Sequence, residues 1–136
     1  MSRETRHSHD GPLAAAITTK VVQLFGDYTG RGPTRGRTFI NENLVSCLLR
    51  DTLTKPERSL VAAGEVDTVL EVRRRFQATM RDDLVAAVED LTGREVAVFM
   101  SENHVDPDVA LESFVLEPVA GDKDAFHPQD TDAGEA

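Results

Sequence analysis

Residues 28–37 read Tyr-Thr-Gly-Arg-Gly-Pro-Thr-Arg-Gly-Arg and join a predicted amphipathic helix to a predicted strand. Three arginines and three glycines lie in this segment of a chain that is otherwise acidic. Glycine lets backbone N–H groups approach a ligand closely or adopt positive φ, and arginine presents a planar fork to oxyanions. We therefore expect Arg31, Gly32, Arg35 and Arg37 to bind an anion or an acidic partner. The alternative is a simple connection whose arginines are solvated.

The sequence on either side of this segment predicts a helix and a hairpin. Apolar residues recur at helical spacing between residues 12 and 28 and predict the first helix, which Gly30 would end. After the segment, two β-type runs at 37–41 and 44–50 flank Asn-Glu-Asn, a connection that accepts turn geometry.

Two helices and two strands follow. Thr54 and Glu57 have the spacing of a capping box at the start of a short helix, and Gly64 would end that helix. The other predicted elements are a long helix over 65–91, strands over 95–101 and 110–117, and a polar loop over 102–108.

The order α-β-β-α-α-β-β indicates an α+β fold, a single domain with helices on one face of an antiparallel four-stranded sheet. We expect this domain over 12–118, between a flexible tail at 1–11 and an acidic, disordered tail at 119–136. Residues on both sides of the last strand are partly apolar, so we expect the second face of the sheet to be covered by a homodimer or another partner.

Composition limits the class of protein. At 136 residues the chain is long enough to bury a core. A formal charge of −9 argues against nucleic-acid binding and against docking on anionic lipid through the whole surface. No apolar run approaches the ~20 residues that span a bilayer, so no direct membrane insertion is expected. The single cysteine, Cys47, excludes an intrachain disulfide framework and indicates a reducing cytoplasm.

The long helix carries an arginine on its apolar face. At about 100° per residue, Arg73 falls near the middle of that face and Gln77 lies one turn further along. An unpaired buried guanidinium would cost several kcal/mol, so Arg73 must meet a carboxylate, carbonyls, an anion or water. One reading is that Arg73 snorkels off the core edge or pairs with an internal acid. The other is that Arg73 and Gln77 form part of a polar pocket or interface.

Other chemistry is weakly indicated. His104, Asp106 and Asp108 alternate in one segment, but aspartates on either side of a proline are ordinary turn formers and no fourth ligand is identifiable. We therefore expect no metal and no cofactor. Serine, histidine and acidic residues occur in no recognised catalytic setting, so we expect no enzymatic activity.

Several motifs occur together in a fixed order. They are Gly30-Arg31-Gly32-Pro33 after the first helix, Leu-Thr-Lys-Pro-Glu-Arg-Ser-Leu at 53–60, the arginine-bearing long helix, and Asp106-Pro107-Asp108 before Phe114-Val115-Leu116. Over about residues 12–118 this pattern resembles a small bacterial domain family named after MpsC, a component of a sodium-translocating, membrane-potential-generating system. The resemblance implies association with a membrane system linked to cation flux and inorganic-carbon supply, whose spanning parts are other polypeptides. It implies no catalytic residues.

Three functional hypotheses follow. The first is a noncatalytic cytoplasmic accessory or regulatory module, peripheral at the inner face of the membrane through the subunits of a transport complex. The second is a sensor of a small anion or nucleotide that uses the glycine–arginine segment. The third is RNA binding through the same segment and the sheet face, against which the acidic charge and the few aromatic residues argue.

Overall fold

The computed structural model describes residues 2–119, with side chains from residue 11 onward. The elements are α1 (Ser2–Thr29), β1 (Arg35–Asn41), β2 (Leu44–Arg50), α2 (Lys55–Ala62), α3 (Val66–Thr92), β3 (Val96–Val105) and β4 (Asp108–Leu116). All strand pairs are antiparallel, and the strand order in the sheet is β1-β2-β4-β3. The predicted α+β class and element order are confirmed.

The core lies between one face of the sheet and the two long helices. Alternate residues of the central strands β2 and β4 are buried, and they meet the apolar stripes of α1 and α3. The fully buried members include Ile17, Val21, Val45, Leu49, Leu84, Val88 and Phe114. The predicted arrangement, with the helices on one face of the sheet, is therefore confirmed.

Helix α1 begins earlier than the sequence indicates. It starts at Ser2 rather than at residue 12. Pro12, where the predicted helix begins, lies inside α1, which continues through it and forgoes one backbone hydrogen bond because proline has no N–H. The predicted C-terminal tail lies outside the described residues, apart from Val119.

The second hairpin corrects the prediction of a polar loop over 102–108. Strand β3 continues to Val105 and β4 begins at Asp108, so only Asp106 and Pro107 form the turn. The polar residues from Glu102 to His104 belong to β3 because they pair with β4 across the hairpin. Asn103 faces α3 and His104 faces the opposite side of the sheet, with its ring Nδ1 2.9 Å from Pro107 O.

The predicted start of α2 and the predicted end of α3 are confirmed to within one residue. The Thr54 side chain caps α2 by accepting from Glu57 N, and the Glu57 carboxylate accepts from Thr54 N in return. Helix α3 ends at Gly93, whose φ of 69° is a left-handed cap that favours glycine. These signals are local, which is why the sequence alone is sufficient to place them.

Candidate functional site

The predicted arginine group divides between two places. Arg31 turns inward, and its guanidinium donates to Asp51 O at 2.8 Å, to Leu53 O at 3.2 Å and to Asp51 Oδ2 at 2.8 Å. Arg35 and Arg37 lie in β1 and are exposed. The structure therefore does not bring the three guanidinium groups together.

Gly32 has a packing role in this segment. A Cβ atom at Gly32 would lie 2.9 Å from Val22 O of α1, closer than real Cβ contacts occur. Gly36 is similarly confined, because a Cβ there would lie 3.0 Å from Thr18 Cγ2 and 3.1 Å from Leu49 Cδ2. These two glycines let α1 approach the first strand closely.

Arg73 is buried, with 4% of its surface exposed, and every donor of its guanidinium faces a protein acceptor. Nε and Nη2 donate to the two carboxylate oxygens of Glu57, both at 2.8 Å. The remaining donors reach Thr52 O at 2.7 Å, Thr52 Oγ1 at 3.0 Å and Asn103 Oδ1 at 3.4 Å. Burial alone would raise the pKa of Glu57, but Arg73 and Thr54 lower it overall. The geometry matches pairing with an internal acid.

Residues 51–54, between β2 and α2, form a junction where the motifs noted in the sequence meet. Arg31 and Arg73 donate to its carbonyl oxygens, as described above. From the second hairpin, Asp108 accepts from Thr52 Oγ1 at 2.8 Å and from Leu53 N at 2.9 Å. Arg58 adds a bond to Leu53 O at 2.7 Å. The glycine–arginine, capping-box and Asp-Pro-Asp motifs thus converge on one connection and hold it in place.

Gln77 belongs to a buried polar network that continues from Arg73 into the sheet. Asn103 Nδ2 donates to Gln77 Oε1 at 2.7 Å, and Gln77 Nε2 lies 3.3 Å from Asn103 Oδ1 and 3.5 Å from Glu112 Oε2. Ser101 Oγ lies 2.8 Å from both carboxyl oxygens of Glu112. The predicted pair Arg73 and Gln77 is therefore brought together, in a network shared by α3, β3 and β4.

Glu112 is the unusual member of this network because its side chain is fully buried in the core. Burial raises the pKa of Glu112 to about 8, although Ser101 and the positive charge of Arg73 act in the opposite direction. Glu112 is therefore largely protonated at neutral pH. Glu112 is not among the site residues predicted from the sequence. Its position on the same side of β4 as Phe114 indicates that its side chain faces the core, and this signal could have identified it.

Cys47 lies directly opposite Glu112 across the β2–β4 pair. The thiol is fully buried, and burial raises its pKa to about 11. A protonated, inaccessible thiol is a poor nucleophile. Cys47 is therefore a small residue of the hydrophobic core.

The other side of the sheet, here called the open face, has no described element packed on it. The strand register orders it into four rows, each running from the β1 edge to the β3 edge. The rows are Arg35, Arg50, Val109, His104; Arg37, Leu48, Leu111, Glu102; Phe39, Ser46, Ser113, Met100; and Asn41, Leu44, Val115, Val98.

The open face is apolar at its centre and along one end. Five of its apolar side chains are substantially exposed: Phe39 by 49%, Leu44 by 42%, Val98 by 44%, Met100 by 53% and Leu111 by 38%. Contiguous apolar patches of this kind are uncommon on monomers and mark interaction surfaces. The prediction that the last strand is apolar on both sides is confirmed by this arrangement.

Arg35, Arg37 and Arg50 form a basic corner of the open face. Arg35 and Arg50 are direct cross-strand neighbours, and the guanidinium carbon of Arg37 lies 5.0 Å from the centre of the Phe39 ring. None of the three forms an ion pair with a described residue. Arg50 was missed in the sequence because its position beside Arg35 depends on the strand register.

Three other kinds of site can be compared with the described residues: a ligand-binding groove, a metal site and an RNA-binding surface. A groove of about 470 Å³ is lined by Leu13, Ile40, Asn41, Glu42, Val45, Thr92, Arg94 and Leu116, which include none of the predicted site residues. Within residues 2–119, no group of three His, Cys, Asp or Glu side chains is arranged to hold a metal ion. Among the sixteen open-face positions of the four strands, Phe39 is the only Phe, Tyr or Trp residue.

Comparison with known proteins gives a family. A family model described as "Na+-translocating membrane potential-generating system (MpsC)" matches residues 9–118, which is most of the chain. No curated protein and no solved structure matches the chain. In the part of the chain that the structure describes, no helix is long and apolar enough to cross a bilayer. The matched region contains most of α1, the whole of α2 and α3, and the whole sheet. On this basis the chain belongs to the MpsC family.

Proposed function

We propose that this protein is a noncatalytic accessory module of a sodium-translocating, membrane-potential-generating system, and that it acts by binding protein through the open face. Family membership supports the association with that system. In this proposal the chain lies on the cytoplasmic side and reaches the membrane through the subunits of the complex.

The observation that carries the proposal is the contrast between the two faces of the sheet. On the helix side, the polar groups of Arg73, Gln77 and Glu112 all have protein partners. On the open face, large apolar side chains are exposed and three arginines form no ion pair with a described residue. A protein-binding surface needs an accessible apolar centre with charged groups near its rim, and the open face has both.

Capture from native membranes tests this proposal. A tagged chain is expected to retain integral-membrane subunits from gently solubilised membranes, identified by mass spectrometry. Leu111→Glu places a charge at the centre of the open face and should abolish this retention. Val72→Glu is the matched control, because Val72 is 51% exposed on α3, away from the open face. Equal retention by both variants, or no membrane subunit with the parent, would contradict the proposal.

A small-anion sensor is a second candidate, favoured by the basic corner. Like charges directly opposite one another on neighbouring strands repel, and Arg35 and Arg50 face each other without a carboxylate. An oxyanion such as bicarbonate or phosphate bound there would relieve this repulsion. Calorimetric titration with each anion should give heat that Arg35→Ala abolishes, whereas Lys20→Ala, on the exposed side of α1, should leave it unchanged. Absence of heat with the parent chain would remove this candidate.

A further inference from the structure

We infer that the open face binds a second copy of this chain, in a twofold arrangement whose axis runs parallel to the strands between the two sheets. This inference rests on the proposed protein-binding role of the open face: in the free chain, a second copy occupies the face that the subunits of the complex would otherwise bind. It starts from one row of the register, called the leucine row: Arg37, Leu48, Leu111 and Glu102.

The leucine row is complementary to itself when reversed. It has a cation at the β1 edge, two leucines in the middle and an anion at the β3 edge. A twofold axis parallel to the strands places the β1 edge of one copy over the β3 edge of the other and keeps each row opposite itself. Arg37 then faces Glu102 of the second copy, and Leu48 faces Leu111, with each contact made twice.

The neighbouring rows fit the same operation. Phe39 comes opposite Met100 of the second copy, and Leu44 comes opposite Val115. Two serines face each other at the centre of the first of these rows, and serine is small enough to leave room for the aromatic and methionine side chains. The row that carries Arg35 and Arg50 supplies no carboxylate. It lies at one end of the sheet, where the long arginine side chains extend past the rim of the interface into water.

An in-plane axis perpendicular to the strands does not give this match. It would keep β1 over β1 and reverse the order of the rows, so Arg37 would face Phe39 and Glu102 would face Met100 of the second copy. No opposite charges would then meet. Charge complementarity therefore favours the axis parallel to the strands.

The two charged residues are free to make this contact. Neither Arg37 nor Glu102 forms an ion pair among residues 11–119, and both are exposed. Packed sheets lie about 10 Å apart, a gap that an arginine and a glutamate can bridge from opposite sides. The pairs would lie at the rim, where they orient the partners more than they add affinity.

The area of the open face sets the expected affinity of the dimer. Four strands about 4.8 Å apart and four rows about 7 Å apart give a flat footprint of roughly 500 Å² for each copy. Two such footprints total roughly 1,000 Å², at the low end of specific interfaces. We therefore expect a reversible dimer with a dissociation constant in roughly the micromolar range.

Sedimentation equilibrium of the purified chain, from low to high micromolar concentration, tests the inference. The parent chain should dimerise, and Leu111→Glu should be monomeric while Val72→Glu should dimerise like the parent. Arg37→Glu and Glu102→Arg should each weaken the dimer about tenfold, and the double variant should restore it to within about threefold of the parent. Lys20→Glu, an equal change of charge on α1, should have no effect.

Several outcomes would overturn the inference. A parent chain that is monomeric throughout this range would do so, as would a double reversal no tighter than the single variants. The charge variants lie at exposed edges, so they keep the test valid even if Leu111→Glu does not fold. If the chain is monomeric while Leu111→Glu still loses the membrane subunits, the second-copy inference fails and the proposed accessory function stands.

Discussion

Replacing Glu112 by glutamine should remove a specific pH dependence of stability. Glutamine has nearly the same shape and can still bond to Ser101 and Gln77, but it cannot ionise. In the folded chain the pKa of Glu112 is raised to about 8 from its ordinary value of 4.5. Between these two values the unfolded chain has lost the proton and the folded chain retains it. Unfolding therefore releases a proton, and rising pH favours the unfolded state.

The magnitude follows from the two pKa values. They differ by about 3.5 pKa units, and each unit corresponds to about 1.4 kcal/mol, so the whole window is worth about 5 kcal/mol. This stability is fully present below about pH 4.5 and is lost as the pH rises to about 8. The groups that face the carboxyl are Ser101 on β3, Gln77 and Arg73 on α3, and Cys47 on β2.

Urea unfolding followed by circular dichroism measures the effect. The free energy of unfolding of the parent, minus that of Glu112→Gln, should fall by roughly 3 kcal/mol between about pH 5.5 and 7.5. Other titrating groups are common to both proteins and cancel in this difference. A difference that stays constant within about 0.5 kcal/mol across this range would refute the assignment of a buried, protonated carboxyl.

Three further predictions concern Arg73, Gly32 and Cys47. Arg73→Met should lower the free energy of unfolding by about 3–5 kcal/mol in urea, because Glu57 loses its bidentate partner; a parent-like value would mean that the ion pair is dispensable. Gly32→Ala should cost about 1–3 kcal/mol in thermal unfolding because its Cβ would meet a backbone oxygen, whereas Gly11→Ala, in an open helical position, should be neutral or stabilising. Cys47 should react with iodoacetamide at least about 100-fold more slowly in the native chain than in urea, and comparable rates would show that the thiol is accessible.

Local signals account for the parts of the fold that the sequence predicts well. The capping box of Thr54 and Glu57 and the terminal Gly93 depend on a few adjacent residues, and the structure has both. The apolar face of α3, with Arg73 in its middle, follows from helical periodicity alone. Helical periodicity could not predict which acid pairs with Arg73, because Glu57 meets Arg73 only after α2 and α3 have packed.

The predictions that differ from the structure also concern contacts that form only in the folded chain. The stretch around Asp106 and Pro107 has the composition of a loop, but its polar side chains find partners on α3 and across the hairpin, so the strands extend almost to the turn. Likewise, Arg31 was grouped with Arg35 and Arg37 because they are close in sequence. Arg31 lies before β1 and turns to the carbonyl oxygens of residues 51 and 53, whereas Arg35 and Arg37 lie in β1 on the open face.

Helix α2 has no fully buried residue, and its ordered contacts are concentrated in its first turn. The carboxylate that closes this first turn is also the one that Arg73 holds, so the beginning of the helix is fastened to the body of the protein. The far end has little apolar surface to lose and leads into Gly64, whose φ of 84° suits glycine. We therefore expect the outer turn of α2 to exchange its amide hydrogens faster than the sheet and the two long helices.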